Sequence, residues 1–362
     1  MQEMHGMRYA PVGRSAPVVE PGAFTFAAVG LYHGHIRGMC NGLIEAGARL
    51  KWAYDPNPAY LDDFCKQFPN VQRARSEDEV LSDPSVRLIA GADETHLRCA
   101  LGLRVIDAGK DYFTDKAPLI SLEQLEAARA ACARTGRKYA VYYSERVHVE
   151  TAVFAGQLIA DGAIGRVLQV IALGPHNLSP AMRPKWFFEK AKYGGILCDI
   201  GSHNVEQILY YTGAKDGTVV SSQIANYNHP EYPELDDFGD ATLALDNGAT
   251  GYFRVDWFTP AGLKRAFGDG RVFILGTDGY IEQRKYINIG TEDGPGQLYL
   301  VNQDQQVHYD VHNKVGYPFF GQLILDCLNR TENAMTQDHA FKAAELSIKA
   351  QMQATTLYPK ES

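Results

Sequence analysis

The sequence predicts an α/β chain of two domains: a doubly wound parallel sheet first, then an α+β domain with a large, mostly antiparallel open sheet. Three observations support this. A chain of 362 residues is too long for one ordinary core. Short apolar runs alternate with helical patterns in the first part, and apolar runs follow one another directly in the second. We expect an N-terminal arm over 1–22, the first domain over 23–145 and the second over 146–362.

Composition narrows the class of protein. Hydrophobic residues make up 45% and charged residues 22%, a normal globular balance. The net charge of -8 argues against a nucleic-acid surface, so the expected partner is a small molecule. The six cysteines form no C-x-x-C pair, which indicates neither a zinc site nor a disulfide framework. With no apolar run long enough for a bilayer and no apolar signal segment, a cytoplasmic location is expected.

The N-terminal arm contains Pro11, Pro17 and Pro21 and has an extended character. Two interpretations stay open: a disordered leader, which is slightly favoured, or an arm that docks on a neighbouring subunit.

In the first domain, strands are expected near 24–29, 49–54, 86–90, 111–114 and 138–143. Helices are expected near 35–46, 95–108 and 121–134. Glycines at 47, 109 and 136 mark the ends of these helices. Strands separated by helices imply right-handed crossovers and a parallel sheet that is covered on both faces.

In the second domain, helices are expected near 148–160, 200–212, 317–330 and 338–356. The predicted strands lie near 166–174, 218–228, 238–246, 249–258, 271–276, 279–284 and 297–310. Asn247-Gly248 separates two of them, and Asn-Gly is a strong hairpin signal.

The turn Gly30-Leu31-Tyr32-His33-Gly34-His35 follows the first strand, where a Rossmann domain binds a dinucleotide. It departs from G-x-G-x-x-G, because Tyr32 and His35 replace two glycines and Gly34 is left for the close approach. Asp55 ends the second strand, where a carboxylate binds the adenosine ribose and repels the 2′-phosphate of NADP, which favours NAD. Alternatively, the glycines only shape a turn and Asp55 caps the next helix.

Two further segments predict catalytic groups. Lys116 follows the strand near 111–114, at the sheet edge where ligands bind, and its ammonium suits a reacting hydroxyl. Asp199 and His203 are four residues apart, so on a helix they share one face, and His203 suits proton transfer. The preceding Gly194-Gly195 permits close approach of the backbone to a ligand. The alternatives are that Lys116 is a solvated lysine and that Asp199 and His203 are an ordinary helix pair or cap. The combination of the three residues, which we expect at one crevice although they come from two domains, favours catalysis.

These segments resemble the Gfo/Idh/MocA oxidoreductases, named for glucose–fructose oxidoreductase and inositol dehydrogenase. The similarity extends from about Phe24 to the last helix. The E-K-P motif of that family appears as Asp115-Lys116-Ala117, with the proline displaced to Pro118, and its D-x-x-x-H motif is intact as Asp199 and His203.

The resemblance implies that Lys116 supports the reacting hydroxyl and that His203 acts as acid and base beside Asp199. It implies a sugar, cyclitol or glycoside as substrate, and a dimer or tetramer formed through the open sheet face. The residues assigned to the cofactor are Gly30, Tyr32, His33, Gly34, His35, Asp55, Glu94, His96, Asp115 and Lys116.

Candidate substrate residues, besides the catalytic three, are Tyr143, Arg146, His176, Arg183, Trp186 and Trp257. The tryptophans suit stacking on a sugar ring, and core packing is an equally good interpretation. Tyr143 and Arg146 are equally good as structural residues. Asp93, Glu94 and His96 lack the spacing of a tetrahedral site, so no metal is expected.

Three functions remain open. The first is an NAD-dependent dehydrogenase, in which hydride leaves a carbinol carbon while His203 and Lys116 handle the proton. The second is redox-neutral, an epimerase or glycosidase that retains its cofactor. The third is a non-catalytic sensor of NAD or sugar, against which the intact Lys116, Asp199 and His203 argue.

Overall fold

The computed structural model describes residues 15–263, 266–291 and 293–357, which form two compact units. Within these residues, the first unit comprises 15–142 and 316–341, and the second comprises 143–315 and 342–357. Residues 316–341 pack with the first unit although they follow the second sheet in the sequence, a return that the predicted boundary at 145 does not include.

The sheet of the first unit has six parallel strands in the order β3-β2-β1-β4-β5-β6, which confirms the predicted doubly wound sheet. The strands are β1 (Thr25–Val29), β2 (Arg49–Tyr54), β3 (Gln72–Arg73), β4 (Leu88–Gly91), β5 (Asp111–Asp115) and β6 (Tyr139–Tyr142). The carboxyl ends of β1, β2 and β5 are followed by Gly30, Asp55 and Lys116, so all three lie at one edge of the sheet.

The helices of both units follow in chain order. They are α1 (His35–Glu45), α2 (Pro58–Gln67), α3 (Glu77–Leu81), α4 (Arg98–Asp107), α5 (Leu122–Thr135), α6 (Ser144–Val147), α7 (Glu150–Ala160), α8 (Lys190–Tyr193), α9 (Ile196–Asp199), α10 (Gly201–Thr212), α11 (Pro318–Asn329) and α12 (Gln337–Gln353). Local chemistry sets several of these bounds. The Ser121 hydroxyl accepts a hydrogen bond from Gln124 N at 3.2 Å, which begins α5, and Gly136 ends it with φ of 67°.

Helix α11 packs on the first unit through close contacts. A Cβ at Gly42 in α1 would lie 2.5 Å from the Phe320 ring, so glycine is what allows the two helices to approach. The ring centroid of Phe319 lies 5.9 Å from that of Phe113 in β5. Arg330, after α11, donates two hydrogen bonds to the buried Asp111 at 2.7 and 2.6 Å. The segment 316–341 is thus an integral part of the first unit.

The described part of the N-terminal arm lies on its own unit. Val18 N donates to Ala46 O at 3.0 Å, and the Ser15 hydroxyl donates to Tyr317 O at 3.1 Å. These contacts hold Ser15 and Val18 against residues next to α1 and α11 of the same unit. Residues 1–14 of the predicted arm lie outside the described residues.

The second unit contains a nine-stranded sheet in the order β14-β13-β12-β11-β7-β10-β9-β8-β15. Its strands are β7 (Val167–Pro175), β8 (Gly217–Ala225), β9 (Phe238–Leu245), β10 (Thr250–Asp256), β11 (Arg271–Gly276), β12 (Gly279–Arg284), β13 (Gln297–Asn302), β14 (Gln306–Asp310) and β15 (Thr355–Leu357). The pairs β7–β10 and β8–β15 are parallel and the others are antiparallel, which confirms the predicted α+β class.

Two predicted elements differ from the observed ones. The run 297–310 is two strands joined by a turn, in which Gln305 N donates to Asn302 Oδ1 at 3.0 Å. The helix predicted to reach 356 ends at Gln353, because the chain then joins the sheet as β15. The predicted hairpin at Asn247-Gly248 is confirmed, with φ of 84° at Gly248.

One face of the second sheet is buried and the other is partly exposed. In β11, Val272 and Ile274 are fully buried, whereas Phe273 and Leu275 are 37% and 47% exposed. Among the described residues, no helix is both long and apolar enough to cross a membrane.

Candidate active site

The backbone conformation of the turn after β1 favours glycine at Gly30 but not at Gly34. Gly30 has φ of 72°, and a Cβ there would lie 2.8 Å from Cβ of Asp93, so a larger residue is excluded by backbone and space alike. Gly34 has φ of −56° and directly precedes α1, a conformation that any residue adopts. The sequence analysis assigned Gly34 to the close approach of the backbone to the cofactor. The backbone conformation at Gly34 does not require a glycine for this role.

Asp55 holds the glycine turn in place. Its Oδ2 accepts a hydrogen bond from Leu31 N at 2.7 Å, and its Oδ1 accepts one from Asn57 N at 2.8 Å, just before α2. Burial raises the pKa of Asp55, and these two hydrogen bonds oppose the rise. Asp55 thus has a structural role in the turn, but it does not cap α2 as the alternative interpretation supposed, because the cap is Asn57. Each carboxylate oxygen of Asp55 keeps a lone pair for a ribose hydroxyl, so the hydrogen bonds to the turn are compatible with ribose binding.

Asp115 is the centre of a group that we call the Asp115 cluster: Asp115, His33, His35 and Arg98, of which all but the partly buried His33 are buried. Asp115 is fully buried; His33 Nδ1 lies 2.7 Å from its Oδ2, and His35 Nδ1 lies 2.8 Å from its Oδ1. Arg98 Nη2 lies 3.2 Å from Oδ2. Burial alone would raise the pKa of Asp115, but His35, Arg98 and His33 outweigh it and hold that pKa well below its usual range.

Lys116 is fixed by the same cluster. Its backbone N donates to Asp115 Oδ1 at 2.8 Å, and the Arg98 guanidinium donates to the carbonyls of Lys116 and Ala117. The Lys116–Ala117 peptide bond is cis, and Lys116 itself is 7% exposed. One carboxylate therefore connects the glycine turn after β1 to the predicted catalytic lysine, a connection that motif spacing did not reveal.

His33, His35 and Asp115 also offer ligand atoms within 4.8 Å of one another, as a metal site would. The contacts fit hydrogen bonding better, because each Nδ1 faces its own carboxylate oxygen and Arg98 already supplies positive charge. Glu94 and His96 were also assigned to the cofactor. Their side chains are partly exposed, and His96 Nδ1 lies 3.7 Å from Glu94 Oε2.

In the second unit, Asp199 and His203 lie in two short successive helices, and Ile200 between them keeps helical dihedrals, with φ of −80° and ψ of −41°. Asp199 ends α9, His203 lies in the first turn of α10, and Ile200 joins the two helices. Gly194 and Gly195 have φ of 86° and 88°. A Cβ at Gly195 would come within 2.1 Å of the Gln351 side chain, so the close approach there is to α12.

Tyr143 and Arg146 have structural partners. The fully buried Tyr143 ring lies 6.3 Å from the His203 ring, between centroids. Arg146 forms a buried ion pair with Glu206, and its guanidinium lies 4.2 Å from the centre of the Tyr210 ring. These contacts favour the structural interpretation for Arg146, while Tyr143 stays beside the predicted acid and base.

The residues of the predicted substrate loop cluster around one tryptophan. The Arg183 guanidinium lies 4.1 Å from the Phe187 ring centre and 4.3 Å from that of Trp257. His176 packs 5.7 Å from Trp257, between ring centroids. Trp257 is 5% exposed, which favours a core role, whereas Trp186 lies partly exposed beside Phe187. The structure thus brings together His176, Arg183, Trp186 and Trp257.

Sequence reasoning missed a buried ion pair in the second unit, Glu145 with Lys285. Lys285 Nζ contacts Glu145 Oε2, Tyr286 Oη donates to Glu145 Oε1 at 2.6 Å, and Gln207 Nε2 donates to Glu145 O at 2.7 Å. Burial would raise the pKa of Glu145, but Lys285, then His203 and His176, hold it below its usual range. One signal was available, because Lys285 continues the buried register of β12 two residues after Gln283.

Comparisons with known proteins concern the family and the fold of the chain. Residues 153–282 match the family model of the GFO/IDH/MocA C-terminal domain. A solved protein of Erwinia carotovora atroseptica, provisionally called an oxidoreductase, is 50% identical with a TM-score of 0.89, over 92% of this chain and 100% of that chain. The chain belongs to the Gfo/Idh/MocA family of oxidoreductases.

Two more distant relatives of this Gfo/Idh/MocA chain come from Bacillus subtilis (strain 168). The scyllo-inositol 2-dehydrogenase (NADP(+)) IolW is 22% identical over 187 residues, 51% of this chain and 52% of that protein. The scyllo-inositol 2-dehydrogenase (NAD(+)) is 26% identical over 240 residues, 65% of this chain and 66% of that protein. The chain thus spans about half of the first relative and about two thirds of the second. The resemblance recognised from the sequence is confirmed.

Proposed function

We propose that the chain is an NAD-dependent oxidoreductase that oxidises a hydroxyl, or reduces a carbonyl, of a sugar, cyclitol or glycoside. The observation that carries the proposal is the Asp115 cluster. It fixes Lys116 at the carboxyl edge of the first sheet, beside the turn that family members use for a dinucleotide. The cyclitol activity of both Bacillus relatives supports the substrate class.

The residues of the turn fit a dinucleotide. Gly30 lets Asp93 pack against the end of β1, and α1 begins at His35, so the amides of its first turn suit a diphosphate. Asp55 is placed to bind the adenosine ribose, and its charge disfavours a 2′-phosphate, which supports NAD over NADP. We assign Tyr32, His33, Gly34, Glu94 and His96 to the same cofactor region.

Bound NAD would accept a hydride from the carbinol carbon of the substrate. The Lys116 ammonium donates a hydrogen bond to the substrate oxygen and stabilises the negative charge that develops there. His203 takes the hydroxyl proton, and Asp199 favours the charged imidazolium. Among the substrate-loop residues, we assign His176, Arg183 and Trp186 to sugar binding, with Trp257 as their support, and Tyr143 and Arg146 to the surroundings of His203.

Substitution of the two proton-handling residues tests the proposal. With candidate sugars and cyclitols, Lys116→Ala and His203→Ala should each lower kcat at least about a hundredfold, as loss of a proton-transfer group does, while NAD binding survives. The exposed Lys66→Ala and His312→Ala are matched controls and should leave kcat unchanged. Near-normal turnover in both active-site variants would contradict the assigned roles.

We also propose that copies of the chain associate through the open face of the second sheet. Phe273, Leu275 and Tyr280 are 37%, 47% and 48% exposed on neighbouring strands of that face. Light scattering on the purified chain should give the mass of a dimer or tetramer, and Leu275→Glu should reduce it; a monomer at all concentrations would exclude the proposal.

A further inference from the structure

Two imidazoles occupy the turn in which family members have a glycine-rich pattern, and the structure shows what they contact. His33 lies in the turn and His35 is the first residue of α1. Their ring centroids are 4.2 Å apart, and both Nδ1 atoms face the single carboxylate of Asp115. Two imidazole rings, His35 buried and His33 partly buried, therefore stand at the N-terminus of the helix that the proposed function assigns to a diphosphate.

The contacts fix how these rings hold their protons. An ionised carboxylate only accepts hydrogen bonds, so each Nδ1 carries a hydrogen and donates it to Asp115. The Nε2 atom of each ring is then left as the position for a second proton. Asp115 thus sets the tautomer of both imidazoles.

The other groups around the pair come from three elements. Arg98 in α4 and Lys116 after β5 are cationic, and the Tyr142 ring in β6 lies 5.7 Å from the His35 ring. Burial first, then His35 and Lys116, lower the pKa of His33 to about 3, although Asp115 acts in the opposite direction. Without a ligand, His33 is therefore neutral at neutral pH.

A diphosphate changes this balance. The first turn of α1 attracts anions through its free amides and its dipole. Two phosphate charges at that position would lie next to the imidazoles, and an opposite charge within a few ångströms favours the protonated ring. We propose that the His33–His35 pair takes up a proton from solvent at Nε2 when the diphosphate of a dinucleotide binds, so that an imidazolium compensates for the missing glycines. This inference rests on the proposed function.

The proposal predicts a specific dependence of cofactor affinity on pH. Because the complex holds more protons than its separated parts, binding must strengthen as the pH falls. If one full proton is taken up, Kd falls tenfold for each unit by which the pH is lowered. If less than one proton is taken up, Kd falls by a smaller factor. A Rossmann turn built only from glycines contains no side chain that titrates in this range.

Calorimetry on the full chain tests the proposal directly. Titrating NADH in two buffers of different ionisation enthalpy at one pH counts the protons taken up, and we expect between about half and one. Between pH 8 and pH 6 the Kd for NADH and for ADP should fall at least about threefold. Adenosine, which lacks phosphate, should show neither effect.

Matched variants assign the effect to the pair. Asn donates a hydrogen bond to Asp115 as the neutral imidazole does, but it does not titrate. The double variant His33→Asn/His35→Asn should bind NADH with a Kd independent of pH, and the single variants distinguish the two rings. His312→Asn, at an exposed histidine, should behave as the unaltered chain does.

Several outcomes would overturn the inference. These are NADH binding without proton uptake in the unaltered chain, uptake that persists in the double variant, and a chelatable metal ion on the two imidazoles whose removal abolishes the effect. If the chain binds no NADH at any pH, the proposed function fails instead, so the two failures are distinguishable. The measurement on the unaltered chain decides the matter even if a variant does not fold.

Discussion

Each compact unit buries a carboxylate among cationic partners, but the partners differ in kind. In the first unit, the fully buried Asp115 contacts His33, His35 and Arg98. In the second, Glu145 contacts Lys285, which is also almost completely buried, and Tyr286. The partners of Asp115 include two imidazoles, whose protonation a nearby anion can change, whereas the partner of Glu145 is a lysine ammonium in a buried ion pair. The first cluster is therefore suited to respond to a ligand or to pH, and the second to hold a fixed charge.

The largest expected effect breaks the fixed pair. Lys285→Met leaves the Glu145 carboxylate buried without its cation, and Glu145→Gln leaves the ammonium without its anion. Each should lower the free energy of unfolding by about 3–5 kcal/mol, measured by denaturant titration. The double variant Glu145→Gln/Lys285→Met should recover most of that loss, because no unpaired charge remains. Single variants as stable as the unaltered chain would show that the pair is not a fixed charge site.

A smaller effect distinguishes the titratable cluster. The folded pKa of His33, about 3, lies below the ordinary 6.5, so the unfolded chain binds more protons between these values and stability falls as pH falls through that window. Between pH 6.5 and pH 5 the loss from His33 alone is about 2 kcal/mol. The depressed pKa of Glu145 acts in the same direction, but only below the ordinary range of a carboxyl.

His33→Asn isolates this contribution, because it keeps a donor to Asp115 and removes the titration. Hydrogen exchange should show the first unit losing protection as pH falls from 6.5 to 5 in the unaltered chain, and losing less in the variant. An equal loss in both chains would contradict the assignment of acid sensitivity to His33.

The smallest predicted effect concerns cofactor choice. Asp55→Asn removes the charge that disfavours a 2′-phosphate and keeps an oxygen that accepts from Leu31 N or Asn57 N. We expect the ratio of kcat/KM for NADP to that for NAD to rise about tenfold, equivalent to about 1.4 kcal/mol. Steady-state kinetics with both cofactors measures it, and an unchanged ratio would mean that Asp55 acts only through the turn.

The same comparison shows what sequence could predict. Gly30, Asp55 and Lys116 each follow a strand of an alternating pattern, β1, β2 and β5, so their common sheet edge could be derived from chain order alone. The contact of His33 and His35 with Asp115 depends on side-chain direction across two strands, which spacing does not specify. Glu145 and Lys285 are far apart in the chain and belong to no motif, so only the buried register of β12 pointed to the lysine.

Local geometry and long-range packing limited the other predictions from the sequence. Asp199 and His203 have helical spacing, and the sequence did not show that one would end α9 and the other lie in the first turn of α10. The return of 316–341 to the first unit depends on the fit of Gly42 to Phe320, a long-range contact that periodicity cannot show. Pattern therefore predicted the elements and the sheets, while packing decided which elements belong together.

Transfer of a labelled hydride tests the central claim most directly. The purified chain would be incubated with free NAD and a sugar or cyclitol deuterated at its carbinol carbon, and the released cofactor analysed by mass spectrometry. Our account predicts deuterium in the reduced nicotinamide, in stoichiometric amount with oxidised product, and loss of this transfer in Lys116→Ala and His203→Ala. Product formed with no deuterium in released cofactor would contradict it and indicate a redox-neutral cycle.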